Sequence, residues 1–265
     1  MKKGINKKLS LALTTFILFS SNVYANESVS VENSKDTVLT KSSLSRASVT
    51  SEWNYKTHDG RSYKNQSSTT SNSGSVWGSN FIRSRSGNLP GGTMGTHVNL
   101  YNSSGKVVRT SDWYYEPSTS AGFTRLTPSY KASSGTFYTK STNHLYTRSN
   151  GKYVPFSSIP SPKLSLRSLE ITLSEEELNE RDHLYKTKNM IPAVGENDIE
   201  GYISIDDLYG EIPESPKDAI MRQLVRAKSS KQYRMIPLYH TDGETIIGEY
   251  RIDFNLDGVE NIIVE

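Results

Sequence analysis

None of the 265 residues is a cysteine, and the chain opens the way exported chains do. Small exported domains commonly close on disulfides, so a chain without them needs an ordinary apolar core or a bound metal. It also lacks a thiol nucleophile and any Cys-ligated zinc. The export reading rests on three zones. Lys2, Lys3, Lys7 and Lys8 open the chain without an acidic residue, and a mainly apolar run follows from Leu9 to Phe19. Val23-Tyr24-Ala25 then supplies the small residues a signal peptidase needs, so cleavage is expected after Ala25. The apolar run is shorter than the roughly 20 residues of a spanning helix. The expectation is therefore a secreted protein, extracellular or cell-wall associated. A Lys-rich signal ahead of a disulfide-free chain suits a Gram-positive bacterium.

Charge divides the remainder. From Asn26 to Leu164 there are 16 Lys and Arg against 7 Asp and Glu, a balance of +9; from Ser165 to Glu265 there are 11 against 21, a balance of −10. Asymmetry of this size predicts two physically distinct domains. The expected order is a signal peptide (1–25), a flexible leader (26–50), a basic β-rich domain (51–156), a linker (157–168) and an acidic α+β domain (169–265). Pro155, Pro160 and Pro162, with their serines, mark the linker.

The fold class follows from periodicity. Thr96 to Tyr101 alternates apolar and polar residues, Asn102-Ser103-Ser104-Gly105 is a turn, and the chain returns through Val107 and Val108 to Tyr115. Gly135 to Thr139, His144 to Thr147 and Tyr153 to Phe156 repeat the pattern. Short strands with Gly and Asn turns predict a mainly β N-terminal domain, a sandwich or small barrel. Beyond the linker the signals change. Ser174 and Glu177 form a capping box that opens a helix. Ser215-Pro216 opens a second helix, with Ile220, Leu224 and Val225 on one face. Gly201 to Ile205 is a short strand, and Arg234 to Tyr239 with Thr245 to Ile252 flank an Asp242-Gly243 hairpin turn.

Two sites draw on this frame. Arg83, Arg85, Arg109, Arg125, Lys131, Lys140, Arg148 and Lys152 are interleaved with Trp53, Trp77, Trp113 and many tyrosines. Cations that hold phosphates and aromatics that stack on sugars predict binding to anionic cell-wall polymers or a membrane surface. Export makes nucleic acid an unexpected partner. The bland alternative puts the tryptophans in the core and leaves the charges to solvate the surface. The second site is Asp253-Phe254-Asn255-Leu256-Asp257-Gly258-Val259-Glu260-Asn261. Oxygen groups at alternate positions with glycine at the sixth suit Ca2+, with Asp253, Asn255, Asp257, Val259 and Asn261 as the candidate set. The same residues also make a plain Asp-Gly turn. A standard EF-hand needs a carboxylate where Val264 stands.

No HExxH, GxSxG or Walker pattern is present, and no catalytic residue is assigned. His97 and His144 lie in expected strands of the basic half and could meet in space. The reading is a non-enzymatic binding or interaction protein; the rivals are a secreted hydrolase with a site assembled from scattered residues, and an antimicrobial or toxin factor.

Two resemblances add to this. The loop from Asp253 to Asn261 resembles the strand–loop–strand calcium loops of FG-GAP repeats, with Asn261 in place of the last Asp. The stretches Leu89 to Tyr115 and Gly201 to Ile252 resemble parts of secreted two-part proteins of Bacillus and related Firmicutes. That resemblance implies export and a two-part architecture, and it implies no reaction.

Overall fold

The computed structural model describes residues 46–166 and 173–254; residues 1–45, with the expected signal and most of the expected leader, the stretch 167–172 and the tail from Asn255 lie outside the described residues. In chain order the elements are β1 (Ala47–Thr50), β2 (Asn54–His58), β3 (Arg61–Asn72), β4 (Ser75–Ser84), β5 (Met94–Asn102), β6 (Val107–Thr110), β7 (Tyr114–Tyr115), β8 (Gly122–Leu126), β9 (Tyr130–Lys131), β10 (Gly135–Thr147), β11 (Lys152–Ser157) and β12 (Leu164–Leu166). Then follow α1 (Glu175–Lys188), β13 (Met190–Val194), β14 (Glu200–Ser204), α2 (Ile205–Tyr209), α3 (Pro216–Ala227), β15 (Tyr233–Tyr239) and β16 (Ile246–Asp253).

Among the described residues these strands form two sheets. The smaller runs β1-β3-β4-β8, with β2 on β3 and β9 on β4; the larger runs β11-β10-β5-β6-β13-β14-β15-β16, with β12 on β10 and β7 on β5. They pack face to face as a sandwich, so the chain is mainly β with a small α+β region at its C-terminal side, as the sequence predicts.

The middle of the sandwich is polar. Thr69 Oγ1 lies 2.7 Å from Thr139 Oγ1 and 2.8 Å from Ser161 Oγ. Ser67 Oγ lies 3.2 Å from Ser141 Oγ and donates to Ser158 Oγ at 2.6 Å. Asn80 Nδ2 donates to Asn143 Oδ1 (2.7 Å) and Thr96 Oγ1 (3.0 Å), and Asn143 Nδ2 donates to the Phe156 carbonyl (2.8 Å). These side chains are buried, and burial without partners would cost about 1–3 kcal/mol each, so the sheets are held in one register by the pairing. The sheets also approach closely here: a Cβ on Gly78 would stand 2.6 Å from Thr139 Oγ1. Apolar clusters lie on either side of the polar middle. One gathers Tyr63, Ile82, Leu89, Met94, Phe123 and Leu145; the other gathers Val76, Leu100, Val108, Phe137 and Leu166. The Pro/Ser segment after Phe156, expected to act as a linker, contributes Ser158 and Ser161 to this interior.

The larger sheet continues through the charge boundary. β6 and β13 pair in parallel at Val107 and Ala193, and Ser111 bridges Asp253. Val107, Ala193, Ile203, Leu208, Ile236, Leu238 and Ile252 are buried together along this part of the sheet. The helices begin where the capping residues predict. Ser174 accepts from the Glu177 backbone while the Glu177 side chain reaches back, and Ser215 caps α3 with Pro216 in its first turn. α3 lays Ala219, Ile220 and Leu224 on Trp113, Tyr115 and Tyr153. Gln223 fixes its register: the Tyr115 N–H donates to Gln223 Oε1 (2.8 Å), and Gln223 Nε2 donates to the Tyr115 carbonyl (3.0 Å). The glycine loop before β5 packs on the start of α3. Gly92 sits at φ +76°, and a Cβ there would meet the Pro216 carbonyl oxygen at 2.4 Å. No helix among the described residues is long and apolar enough to cross a membrane.

Candidate binding surfaces

Because side chains alternate along a strand, the inward run of Tyr63, Asn65, Ser67 and Thr69 forces Lys64, Gln66 and Ser68 outward. On β4 the inward run of Val76, Gly78, Asn80 and Ile82 forces Trp77, Phe81 and Arg83 outward. Cross-strand register then sets Tyr55 beside Lys64 and Lys64 beside Arg83. Trp53, in the connection to β2, joins them: its ring centroid lies 5.9 Å from that of Phe81, and the Lys64 ammonium sits 3.8 Å from it. The Arg85 guanidinium lies 5.5 Å from the centre of the Tyr55 ring, and Tyr55 is 55% exposed. The solvent side of the smaller sheet is thus an aromatic and basic platform. β1, β2, β3, β4 and β8 contain no Asp or Glu.

Of the eight predicted anion-binding residues, Arg83 and Arg85 belong to this platform. The others are dispersed. Arg109 is half-buried, 5.0 Å from the Tyr130 ring centre, with its Nη1 donating to the Val108 carbonyl (2.6 Å). Arg125 is buried, stacks over Tyr114 and donates to the Phe254 carbonyl. Lys131 is exposed on the short β9, and Lys140 is exposed on the larger sheet. Arg148 and Lys152 stand exposed at the β10–β11 turn. Sequence reading did not single out Lys64 and Tyr55. Their signal is the alternation of β2 and β3, which becomes visible only once the polar residues are known to point inward.

In the candidate calcium loop, Asp253 closes β16 and its Oδ1 is engaged by Arg251, at 2.6 Å from Nη2 and 2.8 Å from Nε. A cation there would compete with a guanidinium for this carboxylate. Asn255, Asp257, Val259 and Asn261 lie outside the described residues. Among the described residues no group of three or more His, Asp or Glu is arranged to hold a metal ion.

The two strand histidines share the outward face of the larger sheet and flank one tryptophan. Trp113 stacks on His144 at 3.8 Å between ring centroids, and His97 lies 5.5 Å from it. The Tyr115 hydroxyl lies 2.8 Å from His144 Nδ1. Burial lowers the His144 pKa to about 4 and holds His97 well below the usual imidazole range, so both rings are neutral at pH 7. Beside them Asp112, buried in the β6–β7 connection, lies 3.0 Å from Arg226 Nε and 3.8 Å from Arg234 Nη2.

No family model matches this chain, and no curated protein matches it. Among solved structures, the X-ray structure of a Northeast Structural Genomics Consortium target is similar at 13% identity. It covers 50% of this chain and 95% of its own, with a TM-score of 0.18. Likeness at that level carries no argument about fold or function.

Proposed function

We propose that the protein is an exported, non-catalytic binding protein that holds an anionic sugar-phosphate polymer of the cell envelope on the solvent side of its smaller sheet. One observation carries the reading. Trp53, Tyr55, Trp77 and Phe81 share a sheet surface with Lys64, Arg83 and Arg85, and the strands beneath contain no carboxylate. Aromatic faces suit sugar rings, and the cations suit the intervening phosphates.

The test is sedimentation of the mature protein with purified Gram-positive cell walls across a salt series. Binding should be strongest at low salt and fall as the Debye length shortens below about 8 Å. Walls stripped of their phosphate polymer should bind little. Equal binding to stripped walls would defeat the reading, and equal binding to anionic vesicles would move the site to the membrane surface.

Calcium at the Asp253–Asn261 loop belongs to the same proposal as a stabiliser of the C-terminal region. A ligand that binds only the folded state raises its stability. Calcium at about 1 mM, in the range of extracellular modules, should then raise the Tm over that in EDTA, and Asp257→Ala should abolish the rise. The same Tm in both conditions leaves a plain hairpin turn.

A further inference from the structure

A cavity of about 640 Å³ opens on the outward face of the larger sheet, on the opposite side of the sandwich from the platform. A smaller one of about 220 Å³ adjoins it and shares Trp113, Tyr209, Glu211 and Arg234. The walls come from distant parts of the chain: Trp113 from the β6–β7 connection, His144 from β10, Tyr209 from α2, and Glu211 from the segment leading to α3. From this geometry we infer that the cavity is a binding site for an organic cation, an ammonium group carried on a small apolar body.

Three features of the lining support that ligand class. The first is an aromatic wall. Trp113 and Tyr209 have ring centroids 6.0 Å apart and both line the cavity, Trp113 with one face covered by the His144 ring. Aromatic faces attract cations that have shed part of their water. The second is charge. Asp206, Asp207 and Glu211 line the larger cavity against Arg234 alone. That arginine is already committed: its Nη1 and Nη2 donate to the Asp207 and Leu208 carbonyls at 2.7 and 2.8 Å, and Asp112 lies behind it. In the smaller cavity Arg226 is held by Asp112, while Arg222 is paired with Asp218 and more loosely with Glu211. The third is His144. Its neutral ring at pH 7 adds no opposing charge. In the larger cavity an anionic ligand would meet three carboxylates, whereas a cation meets carboxylates and rings together.

The inference stands apart from the platform reading, and the experiment keeps the two distinguishable. The probes are choline and its neutral carbon isostere 3,3-dimethyl-1-butanol, titrated calorimetrically into the full mature protein. Choline should bind with one-to-one stoichiometry and about tenfold more tightly than the isostere, as a desolvated cation–aromatic contact requires. Asp206→Asn and Glu211→Gln, both at exposed positions, should each weaken choline several-fold at unchanged Tm. Tyr209→Leu should weaken choline more than the isostere. Lys64→Glu, on the platform, should leave choline binding unchanged. Absence of saturable binding, equal affinity for the two probes, or indifference to Asp206→Asn, Glu211→Gln and Tyr209→Leu would overturn the assignment.

Discussion

A serine, threonine or asparagine buried between two sheets contributes to stability only through its partner. Asn80 serves both Thr96 and Asn143 across the sandwich. Asn80→Ala leaves both acceptors buried, so it should destabilise by about 2–4 kcal/mol. Thr69→Val, close in shape, orphans the Thr139 hydroxyl, while Ser161 keeps the Thr139 N–H and the Pro162 carbonyl, and should cost about 1–3 kcal/mol. Urea unfolding reads both; a loss below 0.5 kcal/mol in each case (the range of inconsequential surface changes, roughly ±0.5) would mean the polar seam is dispensable. The histidines act in the opposite sense. The folded-state pKa of His144 lies at about 4, below the ordinary value of 6.5. As pH falls below 6.5 the unfolded chain takes up a proton that the folded chain refuses. Stability should therefore be full above pH 6.5 and decline between pH 6.5 and 4, by up to about 3 kcal/mol from this residue. His97 adds to the same slope. His144→Gln should flatten part of the decline in a pH series of urea midpoints; an unchanged slope would mean that burial does not depress this imidazole.

The elements differ in how far local chemistry decides them. α1 buries only Leu184 of its own residues, so its N-terminal cap matters more than packing. Ser174→Ala should cost it about 1 kcal/mol and speed amide exchange in its first turn, while amides of β3 and β10 stay protected. These caps were legible in the sequence because a capping box is a local signal, and so were the Asp242-Gly243 hairpin and strands β5 and β11; β10, expected as two short strands at Gly135 to Thr139 and His144 to Thr147, instead runs unbroken through the polar Lys140 to Asn143. β3 was not. Arg61 to Asn72 shows no apolar alternation, because its inward positions include Asn65, Ser67 and Thr69, whose partners lie at the end of β11, on β10 and at Ser158 and Ser161. Period-two reading looks for apolar inward residues, and here inward is polar. The candidate sites were legible to the same extent. Arg83 and Arg85 could be named as cations, but which face they share depends on the register of that polar strand. The cavity beside Trp113 depends on residues about a hundred positions apart, which no local spacing reveals.

At the scale of the molecule, the charge asymmetry becomes a difference between two faces. The platform on the smaller sheet is cationic, and the cavity on the far side of the larger sheet has an acidic rim. One continuous sheet joins the basic and acidic halves through β6 and β13. Export is the first requirement of the proposed role. Protein recovered from the medium should begin at or near Asn26, and N-terminal sequencing that finds Met1 on exported protein would contradict it. The most direct test of the central claim is the wall affinity of a charge-reversed platform. Lys64→Glu with Arg83→Glu changes two outward residues and should leave the Tm within a few degrees. It should lower wall binding at low salt by tenfold or more, about 1.4 kcal/mol or greater, whereas Lys152→Glu, at the β10–β11 turn, should lower it far less. Equal losses from the two variants, or none from either, would mean that the platform is an ordinary solvated surface and that the protein does not hold wall polymer there.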